Sequence, residues 1–256
     1  MQRENLDAIS AGALKSVQEA EETPLRYLMR SVMGGAFLFV GVFLSIMVSA
    51  QLQSLHGGLG KVASAFVFPI GLVLIIVLAG QLYTSTCLYQ PVGLLMGRVK
   101  AGQGIRVMAL CWVGNMLGLA VMSALLTASG AQRGIMLPYL VELVEARVAV
   151  GAVEIFLRGI LCNFYICVSS FVAFRMSSET GKILVIFFVI AGFILSGTDH
   201  SIANAGFFFL CKMLEPATKT LPLLRNVALA TAGNFIGGAV LVALPMWYVG
   251  SEREKR

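Results

Sequence analysis

Charge is scarce in this sequence. Asp, Glu, Lys and Arg make up 12% of its 256 residues, about half the share that water-soluble domains carry. With 58% of residues hydrophobic and a mean hydropathy of +0.86, that shortage excludes a soluble domain and leaves a chain that crosses a membrane several times. Cysteine is sparse too, and none of Cys87, Cys111, Cys162, Cys167 and Cys211 has the CxxC spacing of a zinc or redox site. They read as small core residues, and no cofactor or metal is expected. The net charge of +6 comes from basic residues spread over the ends of apolar blocks. A nucleic-acid surface would gather them on one face with aromatics, so that partner is excluded and the charge is a topology signal. There are two histidines. His56 stands in a polar connection, whereas His200 follows Asp199 between two apolar blocks.

What is there is a series of apolar blocks. Residues 1–22 carry Arg3, Glu4, Asp7, Glu19, Glu21 and Glu22, unlike the apolar core of a signal peptide, so the first span is expected to act as an uncleaved insertion signal. Leu6, Ile9, Ala13, Leu14 and Val17 recur at helical spacing, which predicts an amphipathic helix over 1–24 able to lie on a membrane surface, ended by Pro24. A channel domain over 25–250 and a tail over 251–256 follow. Spans are predicted at 31–50, 107–128, 152–174 and 227–249. Two further blocks are interrupted. In 62–96 the hydroxyl-rich string Tyr83-Thr-Ser-Thr-Cys-Leu-Tyr-Gln-Pro91 is read as a loop at membrane depth, and in 183–211 Ser196-Gly-Thr-Asp-His-Ser-Ile-Ala-Asn204 breaks a helix whose halves are each too short to cross. An ionisable pair at that depth marks a functional site. Twelve Lys and Arg fall on the side of the termini against six on the other, which places both termini in the cytoplasm, for an inner-membrane protein.

The halves are alike. Gly114-Asn-Met-Leu-Gly118 returns as Gly233-Asn-Phe-Ile-Gly237 at an offset of 119, and Thr84 and His200 stand 116 apart. The fold class is therefore an all-α membrane protein of six transmembrane helices in a 3+3 inverted repeat, two of them broken, with repeats over about 26–129 and 146–250. Its site is expected between the copies near the midplane. There His200 is the natural proton donor or hydrogen-bond partner, and Asn115 and Asn234 read as bridges at close helix contacts.

From about Arg26 to Val249 the chain resembles the formate/nitrite transporter family. The resemblance is carried by Leu82-Tyr-Thr-Ser-Thr86, Gly114-Asn-Met-Leu-Gly118, Arg158-Gly-Ile-Leu-Cys-Asn-Phe164 and Asp199-His-Ser-Ile-Ala-Asn204. It implies an aquaporin-like fold, a homopentamer with one pore per protomer, and small monovalent weak-acid anions as substrates: formate, nitrite, hydrosulfide, acetate or lactate, moving with protons. It also implies that Thr84, on a flexible loop, bonds the same anion as His200, and that Asn163 or Asn204 holds the broken backbone. By the same resemblance Phe68 and Phe193 form the outer constriction, Leu72, Tyr83 and Ile166 the inner one, and Arg147 supplies the vestibule cation where a lysine is usual. Gln81 replaces an expected acid and Tyr83 a usual phenylalanine, departures that bear on which anion passes.

Each of these residues has a structural reading as well. His200 could bond Asp199 or a carbonyl, Thr84 could cap a helix, Arg147 could anchor at an interface, and Phe68 and Phe193 could simply pack. Glu154 and Arg158, one turn apart, suit an intrahelical pair. An aquaporin would need Asn-Pro-Ala at both breaks and a serine protease a Gly-x-Ser-Gly turn, and the sequence has neither.

Overall fold

The computed structural model describes residues 3–53, 55 and 57–251. His56 and the tail over 252–256, with Arg253, Lys255 and Arg256, lie outside the described residues. Among the described residues every regular element is a helix. Helix α1 (Arg3–Glu22) leads into α2 (Pro24–Leu52), whose proline sits in the first turn, where its missing N–H costs nothing. Next come α3 (Gly57–Val67) and α4 (Ile70–Val77), then the half-helix α5 (Tyr83–Leu95) and the long α6 (Ala101–Ser129). Helix α7 (Arg133–Ala149) connects the halves. The second half comprises α8 (Ala152–Arg175), α9 (Glu179–Leu195), the half-helix α10 (Ser201–Leu214), and α11 (Thr220–Ile236). The last continues through a π-helical stretch, Gly237–Ala243, into α12 (Leu244–Ser251).

Among the described residues five helices are long and apolar enough to cross a membrane. The sixth crossing is assembled from pieces. At 17 residues, α9 rises about 26 Å, short of a hydrocarbon core of about 30 Å, and α10 makes up the rest. This is the broken element expected around His200.

The apolar face of helix α1 is covered by protein: Leu6, Ile9, Ala13 and Val17 are at most 2% exposed and pack on α5, α2, α6 and α12. One expectation needs correction here. The first break does not run through Tyr83–Pro91. It occupies 78–82, where Ala79 takes φ +54° beside Gly80, and the hydroxyl-rich string is helical. Thr86 Oγ1 bonds back to the Tyr83 carbonyl at 2.6 Å, so the hydroxyls are satisfied without unwinding the helix. Pro91 leaves the Cys87 carbonyl without its helical donor, and Gly238 of the π-helical stretch packs against that carbonyl. Between the halves, 133–149 is helical, and Met136, Leu140 and Val144 repeat every four residues along its buried face.

Each half is built on a glycine-lined crossing. Gly35, Gly114 and Gly118 bring α2 and α6 so close that a Cβ at Gly118 would overlap the Val32 carbonyl. Gly159, Gly233 and Gly237 do the same for α8 and α11, where a Cβ at Gly237 would overlap the Ile160 carbonyl. Small residues that let backbones touch are the usual means of packing helices in lipid. The Gly-Asn-x-x-Gly strings read from the sequence are thus the two copies of one contact.

Candidate functional site

The two breaks are held by matching sets of hydrogen bonds. Asn115 Oδ1 accepts from the Tyr83 amide at 2.9 Å, while its Nδ2 donates to the Ser31 carbonyl at 2.7 Å and the Gln81 carbonyl at 2.8 Å. Asn234 Oδ1 accepts from the Ser201 amide at 2.9 Å, and its Nδ2 donates to Gly159 at 2.8 Å and Asp199 at 3.0 Å. The Gln81 amide also bonds the Arg30 carbonyl at 3.0 Å, as the Asp199 amide bonds that of Arg158 at 3.4 Å. Both asparagines are buried, and each satisfies two backbone groups that the break strips of partners while tying the break to a carbonyl of the facing helix, Ser31 of α2 or Gly159 of α8. They do more than bridge helices, as the sequence suggested; they are the clamps of the site. Their bonds also fix the register, because Tyr83 pairs with Ser201 and Gln81 with Asp199, an offset of 118. Thr84 and His200, 116 apart, are therefore not equivalent positions. The residue equivalent to His200 is Leu82, and the two are the N-caps of α5 and α10.

Thr84 and His200 nonetheless meet. Thr84 Oγ1 lies 3.1 Å from His200 Nε2, with both side chains at most 2% exposed. Thr84 is in the first turn of α5, so the flexible-loop expectation is replaced by a hydroxyl on a rigid helix start. The Ala203 amide donates to His200 Nδ1 at 3.1 Å. A nitrogen that accepts from an amide carries no hydrogen, so the network assigns the neutral imidazole with its hydrogen on Nε2, directed at Thr84. The positive ends of two half-helices thus converge on one N–H and one hydroxyl, an arrangement that favours negative charge. The Asp199 carboxylate is not a partner of the imidazole. It turns to Arg147 and Asn204.

Arg147, in the last turn of α7, donates through Nη1 to Asn204 Oδ1 at 2.8 Å and approaches Asp199 Oδ1 at 3.4 Å. Its guanidinium stacks on the Phe207 ring at 4.9 Å. Asn204 Nδ2 donates to Asp199 at 2.8 Å and to Asn226 at 2.9 Å, and Asn226 Nδ2 closes the ring on the Arg147 carbonyl at 3.2 Å. The arginine side chain remains 26% exposed, and its buried Nε has no partner among the described residues. Asn163 reaches the first half-helix instead, donating to the carbonyls of Thr84 at 3.1 Å and Asn234 at 2.6 Å. Glu154 and Arg158 bond one another on an exposed helix face.

Two cavities approach this centre from opposite ends. The one at the C-terminal end of α2 has a volume of about 200 Å³, and Lys61, Phe68, Arg147, Phe193, His200 and Asn204 line it. The Phe68 and Phe193 rings meet at a tilt of 57° with centroids 5.9 Å apart, and Phe193 stands 6.1 Å from the imidazole. The other, beside the first break, has a volume of about 270 Å³ and is bordered by Gln81, Leu82, Ser85, Tyr89 and Lys182. Leu72, Tyr83 and Ile166 line neither cavity and belong to the same packed core as Phe68 and Phe193. Tyr83 directs its hydroxyl to the Thr231 carbonyl at 3.4 Å. Sequence reasoning missed Leu82 at the second cavity, Lys61 at the first, and Asn226 behind the arginine. For Leu82 a signal existed, since an offset of 118 lays it on His200.

The sequence profile described as formate/nitrite transporter matches residues 4–248. A protein of Methanothermobacter thermautotrophicus named "Probable formate transporter" is 30% identical over 94% of this chain and 95% of its own length. The nitrite transporter NirC of Salmonella typhimurium is 27% identical over 98% of this chain and 93% of its own. Among solved structures, one titled "FNT family ion channel" superposes with a TM-score of 0.91 over 96% of this chain and 98% of that one, at 24% identity. A pentameric formate channel with formate bound gives 0.76 over 90% and 98%, at 19% identity. Sequence and fold agree, and the chain belongs to the formate/nitrite transporter family.

Proposed function

We propose that this chain is a pore for small monovalent weak-acid anions, with formate as the leading substrate, and that passage is coupled to protons. The observation that carries the reading is the Thr84–His200 pair at 3.1 Å, between two positive helix ends and beside the rings of Phe68 and Phe193. A carboxylate entering such rings loses its water at a cost of many kcal/mol unless donors replace that water or a proton neutralises it. Nε2–H and the Thr84 hydroxyl are such donors. Because Nδ1 is engaged by its own helix, the reading gives His200 the part of a neutral donor that orients the anion while the proton comes from the bulk phase. Arg147 raises the local anion concentration in the first cavity, and Asn163 and Asn204 hold the two half-helices on either side. Leu72, Tyr83 and Ile166 complete the dry section beyond Phe68 and Phe193.

Formate leads because the relative at 30% identity carries that name; nitrite, hydrosulfide and lactate are the other candidates. The assembly is read as a homopentamer in the inner membrane with both termini cytoplasmic, supported by the distribution of basic residues and by the likeness to a pentameric channel. The test is flux of the four anions into proteoliposomes across a pH series. Formate flux rises as pH falls, and His200→Asn changes its magnitude and pH profile while the oligomer stays intact. An unchanged profile in that variant removes His200 from the mechanism, and osmotic water flow without anion flux assigns the pore to neutral solutes.

A further inference from the structure

The first cavity holds a second cation that the anion path has not used. Lys61 stands in the second turn of α3, and a Cβ built on Gly197 would lie 3.7 Å from its Nζ. Gly197 takes φ +66° at the turn that leads from α9 into Thr198, Asp199 and His200. The ammonium therefore rests over the entrance to the second break, at an exposed position.

Among the described residues the charged side chains that line this cavity are Lys61 and Arg147, and no carboxylate lines it. The two cations differ in what balances them. Arg147 has Asp199 at 3.4 Å and donates to Asn204 at 2.8 Å, so to an anion arriving from the mouth the Arg147–Asp199 pair is close to neutral. The Lys61 ammonium has no ion-pair or hydrogen-bond partner among the described residues. The acids of α7 are placed elsewhere: Glu142 accepts from Gln53 Nε2 at 2.8 Å, and Glu145 borders two other cavities, beside Arg225 and Lys219. The net charge of the first cavity is thus that of Lys61.

The serine hydroxyls on the same wall are already engaged. Ser45 donates to the Val42 carbonyl at 2.8 Å, Ser64 to that of Lys61 at 2.8 Å, and Ser49 to that of Gly60 at 3.1 Å. A hydroxyl whose hydrogen is spent presents lone pairs to the cavity, so the ammonium, with three N–H groups, is the donor left open there. The second cavity is different, because its charged lining residue, Lys182, is balanced by Glu179 at 2.9 Å.

We propose that Lys61 is the residue that captures the anion on the Arg147 side, and that its uncompensated charge makes the first cavity a station for small monovalent anions, held at the ammonium before the Phe68 and Phe193 rings. The second cavity has no such station, so capture is one-sided. The proposal rests on the reading of the pore as an anion path and assigns the charge that path begins with. Arg147 adds to the field deeper in the cavity, where Asp199 offsets it.

Thiol reagents of opposite charge read the potential of each cavity directly. Leu143→Cys places a thiol on the lining of the first cavity and Ala173→Cys on that of the second, both at half-buried positions. The five native cysteines are buried and serve as the silent background. The quantity measured, on the intact oligomer in detergent, is the rate of modification by a sulfonatoethyl methanethiosulfonate divided by the rate for its trimethylammonioethyl counterpart. At Leu143→Cys this ratio is expected to exceed that of a free thiol by about fivefold, to lose that excess when Lys61→Gln is added, to keep it with Lys61→Arg, and to collapse in about 1 M salt. At Ala173→Cys it is expected to match the free thiol. In proteoliposomes Lys61→Gln should raise the apparent KM for formate several-fold. Modification of Lys61→Cys by the cationic reagent should restore the parent value, and the anionic reagent should not. A ratio at Leu143→Cys that ignores Lys61→Gln, equal ratios in the two cavities, or one KM for all these forms overturns the proposal. The rate ratios need no transport. Loss of formate flux with the ratios as expected therefore refutes the reading of the pore, whereas intact flux with ratios insensitive to Lys61 refutes this proposal alone.

Discussion

His200 and the two clamp asparagines are the residues on which the site turns. Each asparagine makes three buried hydrogen bonds to backbone, so truncation leaves several polar groups unsatisfied at about 1 to 3 kcal/mol apiece. Asn115→Ala and Asn234→Ala are expected to lower the melting temperature of the detergent-solubilised protein by several degrees and to reduce formate flux. If both variants melt as the parent does, the clamps are incidental. Arg147→Ala is expected to raise the apparent KM for formate several-fold with little change in maximal flux, because an enriching charge matters most at low concentration; an unaltered apparent affinity would count against the arginine. The sequence made His200 conspicuous, since a lone imidazole between apolar blocks has few readings. It did not reveal that Asp199 turns to Arg147 and Asn204, because that choice depends on where α7 carries the arginine. Nor could it separate a bridging asparagine from a clamping one, when both need the same glycine neighbours.

At the level of elements, the crossings and the breaks were legible to different degrees. Spans are long apolar runs, and their glycine strings at a fixed offset betray the repeat. The first break was misplaced because hydroxyls and Pro91 look like loop chemistry, whereas Thr86 bonds back to the Tyr83 carbonyl and Gly238 packs against the Cys87 carbonyl that Pro91 leaves without a donor. The true break has one strong marker, Gly80, followed by Gln81, and its positive φ falls on an alanine. Helix α7 could have been found from Met136, Leu140 and Val144, had the mixed polarity around Pro138 been tested for a four-residue period. The crossings give a sharp prediction. Gly118→Ala and Gly237→Ala each drive a methyl into a facing carbonyl and should abolish the monodisperse peak on size-exclusion chromatography. Gly102→Ala and Gly134→Ala meet nothing within 4 Å and should be neutral or stabilising by up to about 1 kcal/mol. Equal behaviour of the two pairs would show that the backbones of α2 and α6, or α8 and α11, can part without loss.

For the molecule as a whole, α1 is packed on the helices of the transmembrane domain through its apolar face. Glu19 of α1 bonds Arg30 at 2.6 Å, and Arg30 Nε reaches the Ala79 carbonyl of the first break at 2.9 Å, so the helix and the break share one side chain. Glu19→Gln is expected to raise hydrogen exchange at 78–82 while leaving exchange across the second break unchanged; equal exchange in parent and variant would show that α1 is merely adjacent. The proposed assembly is checked by light scattering of the purified protein, where five copies per particle are expected and a monomer or tetramer would refuse the analogy.

The one-sided imidazole has a bioenergetic consequence. A hydron relay takes a proton at one ring nitrogen and releases it at the other, and here Nδ1 is occupied by the Ala203 amide. On the proposed function, the ring then offers protons no hopping route of their own, and each acid equivalent rides with its conjugate base, one for one. Such traffic would move no net charge, and the expected outcome is that proteoliposomes holding many copies keep an imposed voltage while their two sides exchange formic acid.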